Sequence, residues 1–314
     1  MGLMRGPLIG VAALCLAAGA GQAGEKKGTI GLSVLTLTNP FFKVIADTMK
    51  DEAAKAGYDV AITSGEFDPA KQQNQIKDFI VRRVSAIVLC PCDSKAIGPS
   101  IKEANEAGIP VFTADIACLA PGAKIVCHVA TDNYGGGKLA AHAIIEALGG
   151  RGKVAILDYP EVESVILRTK GFEEEIAAAN QKPDVHIEIV KKLPGGGARD
   201  KSYKVMQDIL QAHSDLAGVF AINDPSAFGA CAALEEAGKL KQVKVVGFDG
   251  QPEGKKAIRD GLIYADPIQF PDQIGRKTVE AILAYFRGDE VPAQILIQTA
   301  LYRKADAEKD PELR

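Results

Sequence analysis

The chain has 314 residues, 47% apolar and 25% charged, with a formal net charge of −3 at pH 7 and a pI near 5.9. That composition supplies an ample core for one large or two medium domains, and it lacks the basic surplus of a nucleic-acid or membrane-surface binder. Tryptophan is absent and aromatics make up only 6%, so the position of each aromatic carries information.

Residues 1–23 read as a signal peptide: Arg5 is the one charge, Leu8–Ala20 is an apolar run of small residues, and Gly21-Gln22-Ala23 offers a cleavage site before Gly24. The run is too short to span a membrane. Cys15 lies inside it behind Leu14, where a lipoprotein site needs a small residue, so simple secretion is expected rather than a lipid anchor. Losing Arg5 moves the net charge from −3 to −4. Export implies an oxidising compartment. The five cysteines beyond Cys15 cannot all pair within the chain. Cys231 fits a helix as a small apolar residue, and one disulfide among Cys90, Cys92, Cys118 and Cys127 is an open expectation.

In chain order, strands are expected at Thr29–Leu35, Tyr58–Thr63, Ala86–Leu89, Val111–Thr113 and Ile125–Val129. A second series follows at Val154–Leu157, Val185–Val190, Gly218–Ile222, Val243–Phe248 and Ile263–Ile268. Helical patterns such as Ala70–Arg82, Ala96–Ala107, Lys138–Leu148 and Ser202–Gln211 separate most of them. Gly57, Gly108 and Gly238 each follow a helical segment, as C-terminal caps do. Strict alternation predicts parallel sheets covered on both faces, and so many strands predict two sheets, dividing near Ala130–Asn133. The glycine runs 135–137 and 195–197 have neither phosphate-loop nor G-x-G-x-x-G spacing and read as turns and close packing.

Polar side chains stand where apolar strands end. Asn39 opens the stretch Asn39-Pro40-Phe41-Phe42, Asp115 follows Val111–Ala114, and Asn223-Asp224 follows Val219–Ile222. Asp249 follows Val245–Phe248, Gln269 follows Ile268, and Arg168 lies early in a helix after Val154–Leu157. Ligands of open parallel sheets bind beyond the carboxyl ends of the strands, so these groups are expected to converge on one cleft. Carboxylates, an arginine fork and amides match hydroxyls that donate and accept, and aromatic faces suit the C–H faces of a sugar ring. Asp224 and Asp132 are better read as helix-start or turn residues.

No catalytic arrangement emerges. His128, His142, His186 and His213 belong to no H-E-x-x-H motif, and there is no G-x-S-x-G or Walker loop. Cys90-x-Cys92 with Cys118 and His128 is weak grounds for a metal site, and neither a metal nor a cofactor is assigned. No helix-turn-helix precedes Thr29.

Several stretches together carry a family resemblance: Leu37-Thr38-Asn39-Pro40-Phe41-Phe42, Asp68-Pro69-Ala70-Lys71, Ile109-Pro110-Val111, Ala130-Thr131-Asp132-Asn133, Val219–Asp224, Val246–Gly250 and Phe270–Gly275. Over about Lys27–Tyr302 the chain resembles the periplasmic ribose-binding proteins, the solute-binding components of sugar ABC importers. The resemblance implies two flavodoxin-like, doubly wound α/β lobes joined by three crossing segments, 28–130 plus 270–298 and 131–269 plus 299–314. The ligand would lie between them. Asn39, Phe41, Phe42, Asp115, Arg168, Asn223, Asp249 and Gln269 match its ligand-contacting positions. Three departures point away from ribose itself: Ile116 replaces an arginine, Gly197 falls near a stacking phenylalanine, and Leu35 replaces a serine. Tyr159 and Arg199 are candidates to fill the space. A hexose, a deoxy sugar or a polyol fits this pattern.

The expected function is a periplasmic, monomeric protein that is not an enzyme, holds a monosaccharide or polyol by hinge closure and delivers it to an ABC transporter permease. One alternative is presentation of a ligand, such as a furanosyl autoinducer, to a sensor or chemoreceptor. A more remote one is a secreted sugar-acting enzyme using Asp115 and Asp249 as an acid–base pair.

Overall fold

The computed structural model describes residues 1–2 and 26–313, so the signal-peptide reading, with Arg5, Cys15 and Gly24, lies outside the described residues. Elements in the first part of the chain are β1 (Gly28–Val34), α1 (Pro40–Lys55), β2 (Tyr58–Ser64), α2 (Pro69–Val81), β3 (Ala86–Leu89), α3 (Gly98–Glu106), β4 (Val111–Ala114) and β5 (His128–Thr131). There follow α4 (Asn133–Ala147), β6 (Arg151–Asp158), α5 (Glu163–Ala179), β7 (His186–Pro194), α6 (Arg199–Ala212), β8 (Leu216–Ala221), α7 (Asp224–Glu236) and β9 (Lys244–Val246). The chain ends with α8 (Pro252–Asp260), β10 (Ala265–Ile268), α9 (Pro271–Arg287), β11 (Gln294–Ile297), β12 (Ala300–Arg303) and the short α10 (Lys304–Ala307).

The strands form two six-stranded sheets, ordered β11-β5-β4-β3-β1-β2 and β12-β10-β9-β8-β6-β7. All pairings are parallel except β10 with β12. Strands β11 and β12 are additions to the sequence reading. Each has four residues and extends a sheet at its edge, β11 beside β5 and β12 beside β10. Three connections join the sheets: β5 to α4, which packs against β9, β10 and β12; β10 to α9, which packs against α1; and β11 to β12.

Local chemistry sets the junctions. Helix α1 starts where it does because Asn39 is extended and its Oδ1 accepts from Phe41 N at 3.0 Å, with Pro40 at the first helical position. Its Phe42, Ile45, Ala46, Met49 and Ala53 then fall on one buried stripe. Asp68 caps α2 in the same way, and Asp132 caps α4 by accepting from Gly135 N at 2.9 Å. The triple glycine is close packing: a Cβ on Gly137 would collide with the Arg168 carbonyl, and one on Gly136 would lie 2.5 Å from the Phe248 ring. Without side chains there, α4 seats directly against α5. Fully buried Phe172 and Phe220 stack at 4.6 Å in the second sheet's core, each contributing about 1.5–3 kcal/mol through burial.

Cys90, Cys92, Cys118, Cys127 and Cys231 are all free, so the expected disulfide is not present. Cys92 Sγ donates to Leu35 O at 3.7 Å, Cys127 is buried at the start of β5, and each thiol packs as a small apolar group in its own place. Among the described residues there is no cluster of metal-ligating side chains and no helix long and apolar enough to cross a membrane.

Candidate ligand-binding cleft between the two sheets

The carboxyl ends of both sheets face one hollow of about 410 Å³, part of which is open to solvent. From the first sheet's loops come Asn39, Phe41, Phe42, Phe67, Asp115 and Ile116, and from the second's come Tyr159, Arg168, Asn223, Asp249 and Gln269. Every sequence-derived candidate except Arg199 lines it. Arg199 lies instead in an outer groove, its guanidinium 2.9 Å from Glu253 and stacked 4.6 Å from the Phe228 ring. It starts α6 and lies along the α6–α8 surface, so it does not fill the space beside Gly197 as expected.

Arg168 is the hub. Its Nε donates to Asn133 Oδ1 at 2.7 Å, and its Nη1 to Ile222 O at 2.8 Å and to Asp249 Oδ1 at 3.2 Å. The Phe248 ring backs it at 3.9 Å. Gln269 Nε2 donates to the same Asp249 oxygen at 2.6 Å. The guanidinium is thereby locked in place before any ligand arrives, with no bond to its Nη2 among the described residues.

Open valences face this cluster. Asp115 Oδ1 and Gln269 Oε1 are buried without a hydrogen-bond partner among the described residues. A buried polar group without a partner costs about 1–3 kcal/mol, which a ligand hydroxyl would recover. Burial pushes the Asp115 carboxyl up to about 7 against the pull of Arg168, with Asp249 and Glu163 adding to the rise. Near neutrality it can therefore donate or accept. Asp249 is also raised by burial, with Arg168 and Gln269 opposing.

Asn39 and Asn223 are committed in part to structure. Asn39 Oδ1 caps α1, while Asn223 Oδ1 caps α7 and its Nδ2 donates to Gly197 O at 3.0 Å. The Phe41 and Phe42 rings meet edge-on at 5.3 Å and form the aromatic wall.

Backbone strain concentrates here. Five described non-glycine residues have φ in the left-handed region, and three of them, Phe67 (61°), Asp115 (65°) and Asp249 (99°), line the hollow. Such conformations cost on the order of 1–3 kcal/mol each and hold these side chains where an ordinary strand exit would not. Phe67 was not expected from sequence. Its ring stands 6.4 Å from Tyr159 across the cleft, in the region where the lost stacking aromatic had left room.

The cleft is shut. Ser94 N donates to Glu161 O at 2.9 Å, Glu163 N donates to Ser94 Oγ at 2.9 Å, and Tyr159 OH donates to Cys92 O at 3.1 Å. These bonds join the loop after β3 of one sheet to the loop after β6 of the other.

His128 is no ligand group. It is buried in β5 with Nδ1 2.8 Å from Thr113 Oγ1, and burial lowers it to about 4.

Comparison with known proteins agrees with this geometry. The chain is 38% identical to the ribose import binding protein of Escherichia coli (strain K12), over 94% of this chain and 97% of that one. It is 35% identical to a D-apiose import binding protein of Paraburkholderia graminis, over 86% of each. An ABC transporter solute-binding protein from Agrobacterium vitis, solved with α-D-tagatopyranose, superposes with a TM-score of 0.84 at 26% identity, covering 91% of this chain and 98% of that one. The model of the periplasmic binding protein domain matches residues 30–290, and the chain belongs to that family.

Proposed function

We propose that this protein is the periplasmic binding component of an ABC importer, that it holds a monosaccharide or polyol between its two sheets, and that it hands the ligand to a membrane permease as a monomer. The observation that carries the reading is the fixed Arg168–Asp249–Gln269 cluster, with Asp115 and Gln269 oxygens unpartnered among the described residues, at a hollow lined from both sheets. The relatives are sugar-import binding proteins by name, which favours import over a ligand-presenting protein or a sugar-acting enzyme. The eight family-matched residues act as ligand contacts, with Ile116, Tyr159 and Phe67 completing the walls. The lobes run 28–130 plus 270–298 and 131–269 plus 299–314, in keeping with the sheet memberships.

Closure works by population shift. A ligand touching both lobes binds the shut state better and moves the equilibrium toward it. Mass spectrometry of small molecules released by gentle denaturation, followed by thermal melting with a sugar and polyol panel, tests the assignment. A co-purifying or panel sugar that raises Tm supports it. A flat response across the panel with no released polyol contradicts it.

A further inference from the structure

The hollow has two unlike ends, and helix α5 displays the change along one face. Val162, Val165 and Arg168 are spaced by three, so they lie in a row on the same side of the helix start. At the Arg168 end the guanidinium donates to Asn133 and Asp249, and Gln269 donates to the same Asp249 oxygen. At the Val162 end the neighbours are hydrocarbon. Ile116 is 2% exposed, Val162 2% and Val165 4%, and all three line the hollow. The Glu163 carboxylate, in the first turn of α5, is buried with its Oε2 unpartnered among the described residues. Glu163 itself does not line the hollow.

Two hydroxyls near this end are spent within the protein. The Tyr159 hydroxyl is occupied by Cys92 O, leaving its ring toward the cleft. Ser94 Oγ accepts from Glu163 N. Ser164 also lines the hollow, and its hydroxyl is the competing feature that a test must address.

Resting on the reading that the hollow holds a sugar, we propose that the ligand carries a deoxygenated carbon, a methyl or methylene where the parent sugar has a hydroxyl, seated against Ile116, Val162 and Val165. A hydroxyl placed there would lose its water and find no donor or acceptor on those three side chains, whereas a C–H group would gain apolar contact. Discrimination is built by leaving a hydroxyl unpaired at one end and by demanding hydroxyls at the other.

Calorimetric titration of the full chain with matched sugars decides this. The pairs are D-fucose and D-galactose, L-rhamnose and L-mannose, 6-deoxy-D-glucose and D-glucose, and 5-deoxy-D-ribose and D-ribose. In every pair that binds, the deoxy member is expected to bind at least ten-fold tighter. Val165→Thr and Ile116→Thr, which place a hydroxyl on the apolar wall with little change of volume, are expected to narrow that ratio to about three-fold or less. Ser164→Ala is expected to leave it unchanged. Equal or tighter binding of the hydroxylated members, or loss of the hydroxylated member's affinity in Ser164→Ala, overturns the inference while leaving the sugar-binding function standing. Absence of binding by every member of every pair overturns both.

Discussion

Arg168 Nη1 and Asp249 Oδ1 form an ion pair at 3.2 Å with side chains only 4% and 3% exposed. The pair joins the start of α5 to the turn after β9, where the Phe248 ring also stacks on the guanidinium. Breaking a buried pair by removing one partner costs about 3–5 kcal/mol, because the other charge is left without compensation. Arg168→Met is therefore expected to abolish ligand binding and to lower stability by about that amount in urea unfolding. The double variant Arg168→Met with Asp249→Asn is expected to regain part of the stability and none of the binding.

Asp115 makes the opposite case. Its Oδ1 has no partner among the described residues and its backbone is left-handed, so in the proposed reading it serves the ligand rather than the fold. Asp115→Asn is expected to leave stability equal or higher and to weaken binding by roughly ten-fold or more, the value of a bond to a charged group being about 1.5–3 kcal/mol. Paired thermal melts and calorimetry separate the two effects.

A second buried acid site lies behind the cleft. Asp224 and Asp266 are 3% and 0% exposed and lie side by side, and Asp224 Oδ2 accepts from Gln251 N at 2.8 Å. Burial pushes Asp266 up to about 7, as it does Asp115, and raises Asp224 as well. The folded chain keeps these protons toward pH 7, whereas the unfolded chain releases them near 3.8. In that window the folded state binds more protons, so this contribution to stability falls as pH rises from about 4 to about 7. Denaturant midpoints measured across that range are expected to show the decline, and Asp266→Asn is expected to flatten it.

Gly137 allows α4 to reach α5. A Cβ there would meet the Arg168 carbonyl, a backbone atom that cannot rotate aside. Gly137→Ala is expected to cost about 1–3 kcal/mol by overpacking and to weaken binding by displacing Arg168. Chemical denaturation together with calorimetry would register both losses.

Tyr159→Phe removes the hydrogen bond to Cys92 O across the shut cleft and keeps the ring that faces the hollow. The ligand-free variant is expected to have a larger radius of gyration than the wild type in solution scattering. Saturating ligand is expected to restore the compact value.

Much of the fold and cleft was legible because strand ends are legible. Asn39, Asp115, Asn223, Asp249 and Gln269 each terminate an apolar run, and the parallel topology then carries all of them to one side. Ile116 and Tyr159 came instead from where the chain departs from the family's ribose-binding pattern. Phe67 followed from neither, because nothing in the letters marks a left-handed phenylalanine held by its neighbours. Val162 and Val165 read as ordinary helix-start residues until Arg168 fixes which face of α5 meets the cleft. Arg199 was misplaced because a glycine-rich loop gives no direction to the helix after it. The cysteines misled because an exported chain raises the expectation of a bridge, while each thiol here fills its own apolar niche.

The most direct measurement is calorimetric titration of the wild type and of Asp249→Asn with the sugar found bound to the purified protein. Saturable binding at one site per chain in the wild type, lost or weakened at least a hundred-fold in the variant, is the predicted result. Undiminished binding by Asp249→Asn would place the sugar elsewhere and contradict a ligand held at the Arg168–Asp249 cluster.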